Sequence, residues 1–288
     1  MATKGVFIVT GATGAIGRAI ARALALRGER VVMACRNAQK AEPIRRRLID
    51  ETGNPDIESM PLDLSSLRSV AAFAEAIRSE KVSVAALINN AGTMNGSFRL
   101  TEDGLEETLG VNYVGPYVLS RLLLPCMENE SRIVNTLSVT YRIGKVDAST
   151  LEPPVRYSRF GAYSRSKLAL LLFTLELARR TGTAGPRVFA ADPGVVDTDM
   201  ITMHRWFDPV ADLLFRPLIK SPERGAETAV ALAASDLPDS HPAIYWTGMK
   251  PRRIPVSVTN HPYRQSLWED TERFAERVGI KLPQPFHI

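Results

Sequence analysis

Cysteine is nearly absent: the 288 residues hold only Cys35 and Cys126, far apart and each inside an apolar run. No CxxC pair exists, which excludes a disulfide scaffold and a thiolate metal site. Two buried free thiols in a reducing cytoplasm are expected instead. Histidine is also scarce, and His204, His241, His261 and His287 show no metal-ligand spacing, so a metal centre is not expected. No apolar stretch reaches the ~18 residues needed to cross a bilayer. The opening Met1-Ala2-Thr3-Lys4 runs straight into an apolar segment without a signal-peptide cleavage site, so no integral membrane segment is expected. Neither sign of charge dominates, with 36 Lys and Arg against 31 Asp and Glu for a net +5. The positive charges are scattered, and the one tight triplet, Arg45-Arg46-Arg47, reads as the wet face of a helix, which argues against a nucleic-acid partner. Repeats, low-complexity tracts and flexible linkers are missing too. The chain therefore reads as one domain over residues 1–288, a size at which a single core buries about 75% of the extended-chain surface.

What is present is a regular alternation. Val6-Phe7-Ile8-Val9-Thr10 is a short apolar run bounded by glycine, the mark of a buried strand. From Arg18 to Arg27, Ala19, Ile20, Ala23, Leu24 and Leu26 recur at helical spacing until Gly28 stops them. Strands are then predicted at 30–35, 56–62, 84–89, 132–136 and 187–191. Helices are predicted over 37–52, from an N-cap at Ser65 to about Ser79, over 161–180, and from about Thr101 to Met127 with Pro116 as a bend or boundary. Strands separated by helices of ten to twenty residues are the pattern of βαβ units, hence a doubly wound α/β fold with a parallel sheet covered on both faces. Only 200–222 breaks the rhythm, with Trp206, Phe207, Leu213, Leu214, Phe215, Leu218 and Ile219 among charges and three prolines.

Three motifs carry chemistry. Thr10-Gly11-Ala12-Thr13-Gly14-Ala15-Ile16-Gly17 joins the first strand to the first helix. Glycines there let the backbone approach a pyrophosphate, and the helix N-terminus offers oriented N–H groups, although a glycine-rich turn alone is a weak signal. The second strand ends in Cys35-Arg36-Asn37, with no acid to bond the ribose hydroxyl of NAD. An arginine at that place suits the 2′-phosphate of NADP, or is simply a solvated loop residue. In Tyr163-Ser164-Arg165-Ser166-Lys167, the i, i+4 spacing sets a phenol and an ammonium on one helical face, where a cation favours the phenolate.

Taken in order, these motifs resemble the short-chain dehydrogenase/reductase family along nearly the whole chain. The resemblance rests on Thr10-Gly11 through Gly17, Asn89-Asn90-Ala91-Gly92, Ser138 after the fifth strand, and Tyr163 with Lys167. Asp63-Leu64 looks like the family's adenine-side contact, and Pro193-Gly194 through Val196 and Thr198 like its motif after the sixth strand. More narrowly, Ala34-Cys35-Arg36-Asn37 and Ala162-Tyr163-Ser164-Arg165-Ser166-Lys167-Leu168 resemble the retinol-dehydrogenase-like branch, with protochlorophyllide oxidoreductases and WW-domain oxidoreductases nearby. The fold this implies is a Rossmann sheet of about seven parallel strands.

The resemblance also implies roles. Tyr163 is the expected general acid and base, Ser138 the group bonding the substrate oxygen, and Lys167 the group that lowers the Tyr163 pKa and holds the nicotinamide ribose. Asn112, in Gly110-Val111-Asn112-Tyr113, matches the asparagine that anchors a relay water, or else only kinks its helix. The cofactor NADP(H) would be lined by Gly11, Thr13, Gly14, Ala15, Ile16, Gly17, Arg36, Asn37, Asp63, Leu64, Asn89, Ala91, Gly92, Tyr163, Lys167, Pro193, Gly194, Val196 and Thr198. Ala15 stands where many members have glycine, and Leu137-Ser138 where Ser-Ser is frequent; the matching serine is retained.

The expected activity is interconversion of an apolar alcohol and its ketone or aldehyde, in a cytoplasmic homo-oligomer, with 200–222 as a substrate lid or, failing that, a partner or membrane contact. A nonenzymatic NADP(H)-sensing or scaffold protein of the same fold is the alternative, and the full Ser138, Tyr163, Lys167 and Asn112 set argues against it.

Overall fold

The computed structural model describes residues 5–196, 220–234 and 244–283. Val6–Thr10 (β1), Arg30–Cys35 (β2), Ile57–Pro61 (β3), Val84–Asn89 (β4), Arg132–Thr136 (β5) and Arg187–Asp192 (β6) form where the apolar runs sit. Tyr245–Thr247 (β7) and Lys250–Pro251 (β8) complete one eight-stranded sheet in the order β3-β2-β1-β4-β5-β6-β7-β8. The first seven strands run parallel, and only β8 is antiparallel to its neighbour. The short edge strand β8 is the addition to the roughly seven parallel strands that the family resemblance implies. The order reverses between β1 and β4, so the connections leaving these two strands diverge and open a crevice at their C-terminal ends.

Helices Ala15–Leu26 (α1), Ala38–Thr52 (α2) and Pro222–Ala233 (α6) cover one face. The other face carries Leu67–Ser79 (α3), a composite helix (α4) and Arg159–Thr181 (α5). α3 is capped by Ser66, whose hydroxyl accepts the Ser69 amide, rather than by Ser65, which bonds Asp63 instead. α4 consists of Glu107–Leu109, a π-helical turn Gly110–Val114, and Gly115–Leu123. The boundary expected at Pro116 is real: proline occupies the first turn of the last segment, where its missing N–H costs nothing. α5 starts two residues earlier than the apolar pattern indicates, because Ser158 accepts the Gly161 amide and extends it.

α4 from Gly115 to Leu123 and α5 from Leu168 to Leu177 are buried all round, which no surface helix is. Their outer faces lie under Arg264–Arg277 (α7). Tyr113 Oη and Thr271 Oγ1 are 2.6 Å apart, and Tyr117 Oη donates to the Trp268 carbonyl at 3.2 Å. Arg121, fully buried on α4, bonds Glu272 at 2.9 Å and the Pro283 carbonyl at 2.6 Å. Its guanidinium lies 4.7 Å from the Trp268 ring centre, and that of Arg180 lies 4.5 Å away. Trp268 is thus the apolar anchor of α7 as well as the ring on which two cations rest. Trp268→Ala should cost about 3–5 kcal/mol of stability in denaturant unfolding. A loss below about 1 kcal/mol would mean that α7 is only loosely attached.

Candidate active site

The site is built at the crevice, beginning with the turn after β1. Gly11 adopts φ +65, a left-handed conformation that costs glycine nothing. At Gly17 a Cβ would lie 2.3 Å from the Gly11 carbonyl oxygen and 2.7 Å from Asn90 Nδ2, so packing alone requires glycine there. Gly14 differs: a Cβ would meet only the Gly11 oxygen, at 3.4 Å, and otherwise open space. Gly14 is also the N-cap of α1, with no capping side chain and no acidic residue in the helix's first turn. Oriented N–H groups therefore face an open cradle, the arrangement that accepts a phosphate. Cys35, at the end of β2, lies against the Ala12–Thr13 turn, which sets Arg36 at the rim of the same turn. Arg36 is exposed, and among the described residues no carboxylate pairs with it. Asn37 beside it caps α2 by accepting the Lys40 amide at 2.9 Å.

After β4, Thr10 binds the loop in place. Its hydroxyl accepts the Asn90 and Ala91 amides, each at 3.0 Å. Asn89 turns its side chain inward to Ser120 at 3.0 Å and Asn135 at 2.8 Å, so it shapes the crevice from within and has only its backbone to offer a ligand. At Gly92 a Cβ would stand 3.4 Å from Asn112 Oδ1 and 3.8 Å from Lys167 Nζ, so glycine leaves space beside both groups. Asp63 spends one oxygen on the Ser65 amide and hydroxyl, and the Leu64 side chain is part of the core.

Chemistry converges at the ends of β5 and α5. Ser138 follows β5 and accepts from the Thr140 hydroxyl at 3.1 Å. It also stands near enough to the Tyr163 phenol to favour its ionisation. Lys167, one turn along α5, is only 3% exposed and donates to the Thr136 carbonyl at 2.8 Å. Its ammonium lies 5.6 Å from the Tyr163 ring centre. Burial draws the Lys167 pKa down to about 8, against the opposing pull of Asp192. The Tyr163 phenol is raised above its ordinary value, first by burial, with nearby Ser138 lowering it and the Asp192 charge adding to the rise. Desolvation outweighs the other influences on the phenol and favours its neutral form.

Asn112 sits in the π turn, a backbone irregularity frequent at functional sites. Its Oδ1 accepts the Thr93 amide at 2.7 Å, and its Nδ2 donates to the Thr93 carbonyl and to Ser166 Oγ, both at 2.9 Å. Ser166 in turn donates to the Tyr163 carbonyl at 2.7 Å, so the side chain of Asn112 ties the β4 loop to the helix carrying Tyr163 and Lys167.

The fold thus brings together Gly11 through Gly17, Arg36, the 89–92 loop, Asn112, Ser138, Tyr163 and Lys167. Pro193, Gly194 and Val196 follow β6, where Gly194 takes φ +76 and Val196 is buried against Gly225. Thr198 and nearly all of 200–222 lie outside the described residues. The sequence reading passed over Asn90, which donates to the Thr10 carbonyl, as well as Asp192 and Tyr245. A carboxylate closing an otherwise apolar strand just before Pro193-Gly194 was the available signal for Asp192. Among the described residues no group of three or more His, Cys, Asp and Glu could hold a metal, and no helix is long and apolar enough to cross a membrane.

Residues 5–206 match the family described as short chain dehydrogenase. Human retinol dehydrogenase 12 is 37% identical over 278 residues, covering 96% of this chain and 87% of that protein. Mouse polyprenol dehydrogenase is 41% identical over 239 residues, covering 80% and 71%. A short chain dehydrogenase from Burkholderia cenocepacia, solved in complex with NADP, superposes with a TM-score of 0.63 at 26% identity, covering 80% of this chain and 90% of that one.

The buried Lys167 yields a stability prediction. Its folded pKa, about 8, lies below the unfolded 10.5, so the unfolded chain binds more protons between those values and stability climbs with pH across that window. Lys167→Met escapes the cost of burying an ammonium and should be more stable than the wild type by about 2 kcal/mol at neutral pH. That gap should shrink in denaturant titrations as pH rises from ~7 to ~9.5. A gap constant with pH would contradict the burial cost assigned to the ammonium.

Proposed function

The chain belongs to the short-chain dehydrogenase family and is an oxidoreductase, and from that premise we propose that it interconverts an apolar alcohol and its ketone or aldehyde using NADP(H). The observation that carries the reading is the convergence of Ser138 and the Tyr163 phenol with the buried Lys167 ammonium, which lies 5.6 Å from the Tyr163 ring one helical turn away. Tyr163, held neutral by burial, would give its proton to the carbonyl oxygen in reduction and take it back in oxidation. Ser138 would hold that oxygen against the phenol and stabilise the charge developing on it. Lys167 would anchor a ribose hydroxyl and lead protons away from the phenol. Both amide hydrogens of Asn112 are spent on Thr93 and Ser166, so a relay water would find only acceptor oxygens at this residue.

The cradle supports a dinucleotide. The uncapped start of α1 at Gly14, Ala15 and Ile16, together with Gly11, Thr13 and Gly17, would hold the pyrophosphate. The space at Gly92 beside Lys167 would admit a ribose. The nicotinamide, when bound, supplies or accepts the hydride. Arg36 and Asn37 would meet the 2′-phosphate, with Asp63, Leu64, Asn89 and Ala91 on the adenosine side. Pro193, Gly194, Val196 and Thr198 would lie on the nicotinamide side. An exposed Arg36 with no competing acid, and a relative solved with NADP, favour NADP(H) over NAD(H).

An apolar substrate suits the rim that follows the catalytic residues: Val139 is 54% exposed and Ile143 60%, with Phe160 and Val195 also exposed. The names of the retinol and polyprenol dehydrogenases point the same way. The 200–222 segment remains the proposed lid over this rim, and residues 1–288 one domain in the cytoplasm, in keeping with the free thiols Cys35 and Cys126. A homo-oligomer would have to pair through surfaces other than the outer faces of α4 and α5, which α7 covers.

Tyr163→Phe should abolish carbonyl reduction while leaving NADPH affinity within about twofold. Full turnover by this variant across a panel of apolar aldehydes and ketones would sink the mechanism. Arg36→Ala should weaken NADPH binding by about 10-fold or more and leave NADH binding nearly unchanged, because one charge-assisted phosphate contact is lost. Equal losses for both nucleotides would argue against the phosphate contact.

A further inference from the structure

Asp192 closes β6 and is 5% exposed, yet no part of the proton-transfer set described above uses it. One of its oxygens accepts the Gly194 amide at 2.8 Å and the other accepts the Tyr245 hydroxyl at 3.0 Å. Both oxygens act as acceptors, as those of an ionised carboxyl group do. Tyr245 is itself fixed, because it lies on β7 beside β6 and packs edge-on against Tyr141, with ring centres 5.8 Å apart. Tyr141 belongs to the turn that begins at Ser138. Thr136, whose carbonyl receives the Lys167 ammonium, is paired in the sheet with Ala191, the residue before Asp192. The carboxylate therefore stands at the same sheet edge as the ammonium and the phenol, clamped from two sides and forming an ion pair with neither.

The charged and titratable groups around it come from each packed element. Lys167 and Tyr163 lie on α5, Tyr141 and Arg142 on the turn after β5, Tyr245 on β7, and Lys220 beside Gly194 just before α6. Lys167 is the buried cation among them, and Asp192 favours its charged form while disfavouring ionisation of Tyr163. We propose that Asp192, clamped by Tyr245, is a positioning residue: its fixed negative charge keeps the Lys167 ammonium and the Tyr163 phenol protonated together, so that the proton donor of the reduction stays loaded. The proposal rests on the roles given to Tyr163 and Lys167 above. Its physical content is simple: a fixed charge within a poorly screened interior acts on both neighbours without touching them.

The test replaces the charge and keeps the shape. In the ligand-free protein, the tyrosinate absorbance change with pH, taken as the difference between each protein and its Tyr163→Phe counterpart, isolates ionisation of Tyr163. Asp192→Asn should move that midpoint down by about one pH unit. Asp192→Ser, smaller and also neutral, provides the same comparison if the asparagine variant folds poorly. Tyr245→Phe keeps the charge and the Gly194 bond, so it should shift the midpoint by less than half as much. In NADPH-dependent reduction of an apolar aldehyde, the alkaline limb of kcat/KM should fall at lower pH in the neutral variants, because both donors deprotonate earlier. An unmoved midpoint in the neutral variants overturns the proposal. So does a shift in Tyr245→Phe as large as theirs, since geometry rather than charge would then be responsible. Absence of turnover in the wild type, with the absorbance shift present, would count against the proposed reaction and leave the charge effect standing.

Discussion

Thr10 donates its hydroxyl towards the Ile88 carbonyl at 3.4 Å and accepts the amides of Asn90 and Ala91, binding the end of β1 to the loop that leaves β4. These are the two strands between which the sheet order reverses, so their connections must part to opposite faces. The stitch keeps that parting narrow. It sets Gly17 under Asn90 and Gly11 against Ala91, where neither position tolerates a Cβ, and it leaves Gly14 facing open space and Gly92 beside Asn112 and Lys167. A crevice with backbone amides on one wall and a buried cation on the other follows from a single threonine hydroxyl and two parallel strands.

The cation is costly for the fold. Lys167 is held in the interior with one carbonyl as its hydrogen-bond partner, and the phenol beside it is made harder to ionise by the same desolvation. Sites that destabilise their own residues in this way are where function competes with stability. The surrounding framework is correspondingly rigid. Asn112 and Ser166 lock α4 to α5, and the inner chain of Asn89, Ser120, Asn135 and Thr174 fixes β4 and β5 against the same helices. Outside them α7 seals the buried stretches of both helices, which support the turn of α5 that carries Tyr163 and Lys167.

Much of this was legible in the chain. The apolar runs located β1 through β6 to within a residue or two, since a parallel strand buried on both faces must be apolar throughout. Ser138, Tyr163 and Lys167 were legible as types at fixed spacing after recognisable elements. Less could be read where side chains serve two masters. Asn89 reads as cofactor-lining yet turns inward, and Leu64 belongs to the core. Ser65 and Ser66 are equally good caps on paper, and only the claim of Asp63 on Ser65 decides between them. The π turn at Asn112 has no signature of its own, because it arises where Gly110 and Gly115 pack tightly on Thr101 and Leu64.

By itself the sequence determined the α/β alternation, the glycine turn, the Tyr163–Lys167 spacing and the absence of an acid after β2, because each is a local pattern whose physics acts within one turn or one strand. Tertiary structure alone decided the ionisation of that site. Whether Lys167 raises or lowers its neighbours depends on how deeply α5 is covered and on which charge lies across the sheet, and Asp192 reaches it only because β6 pairs with β5. Desolvation and through-space charge are sums over the whole fold, and no local stretch of residues contains them.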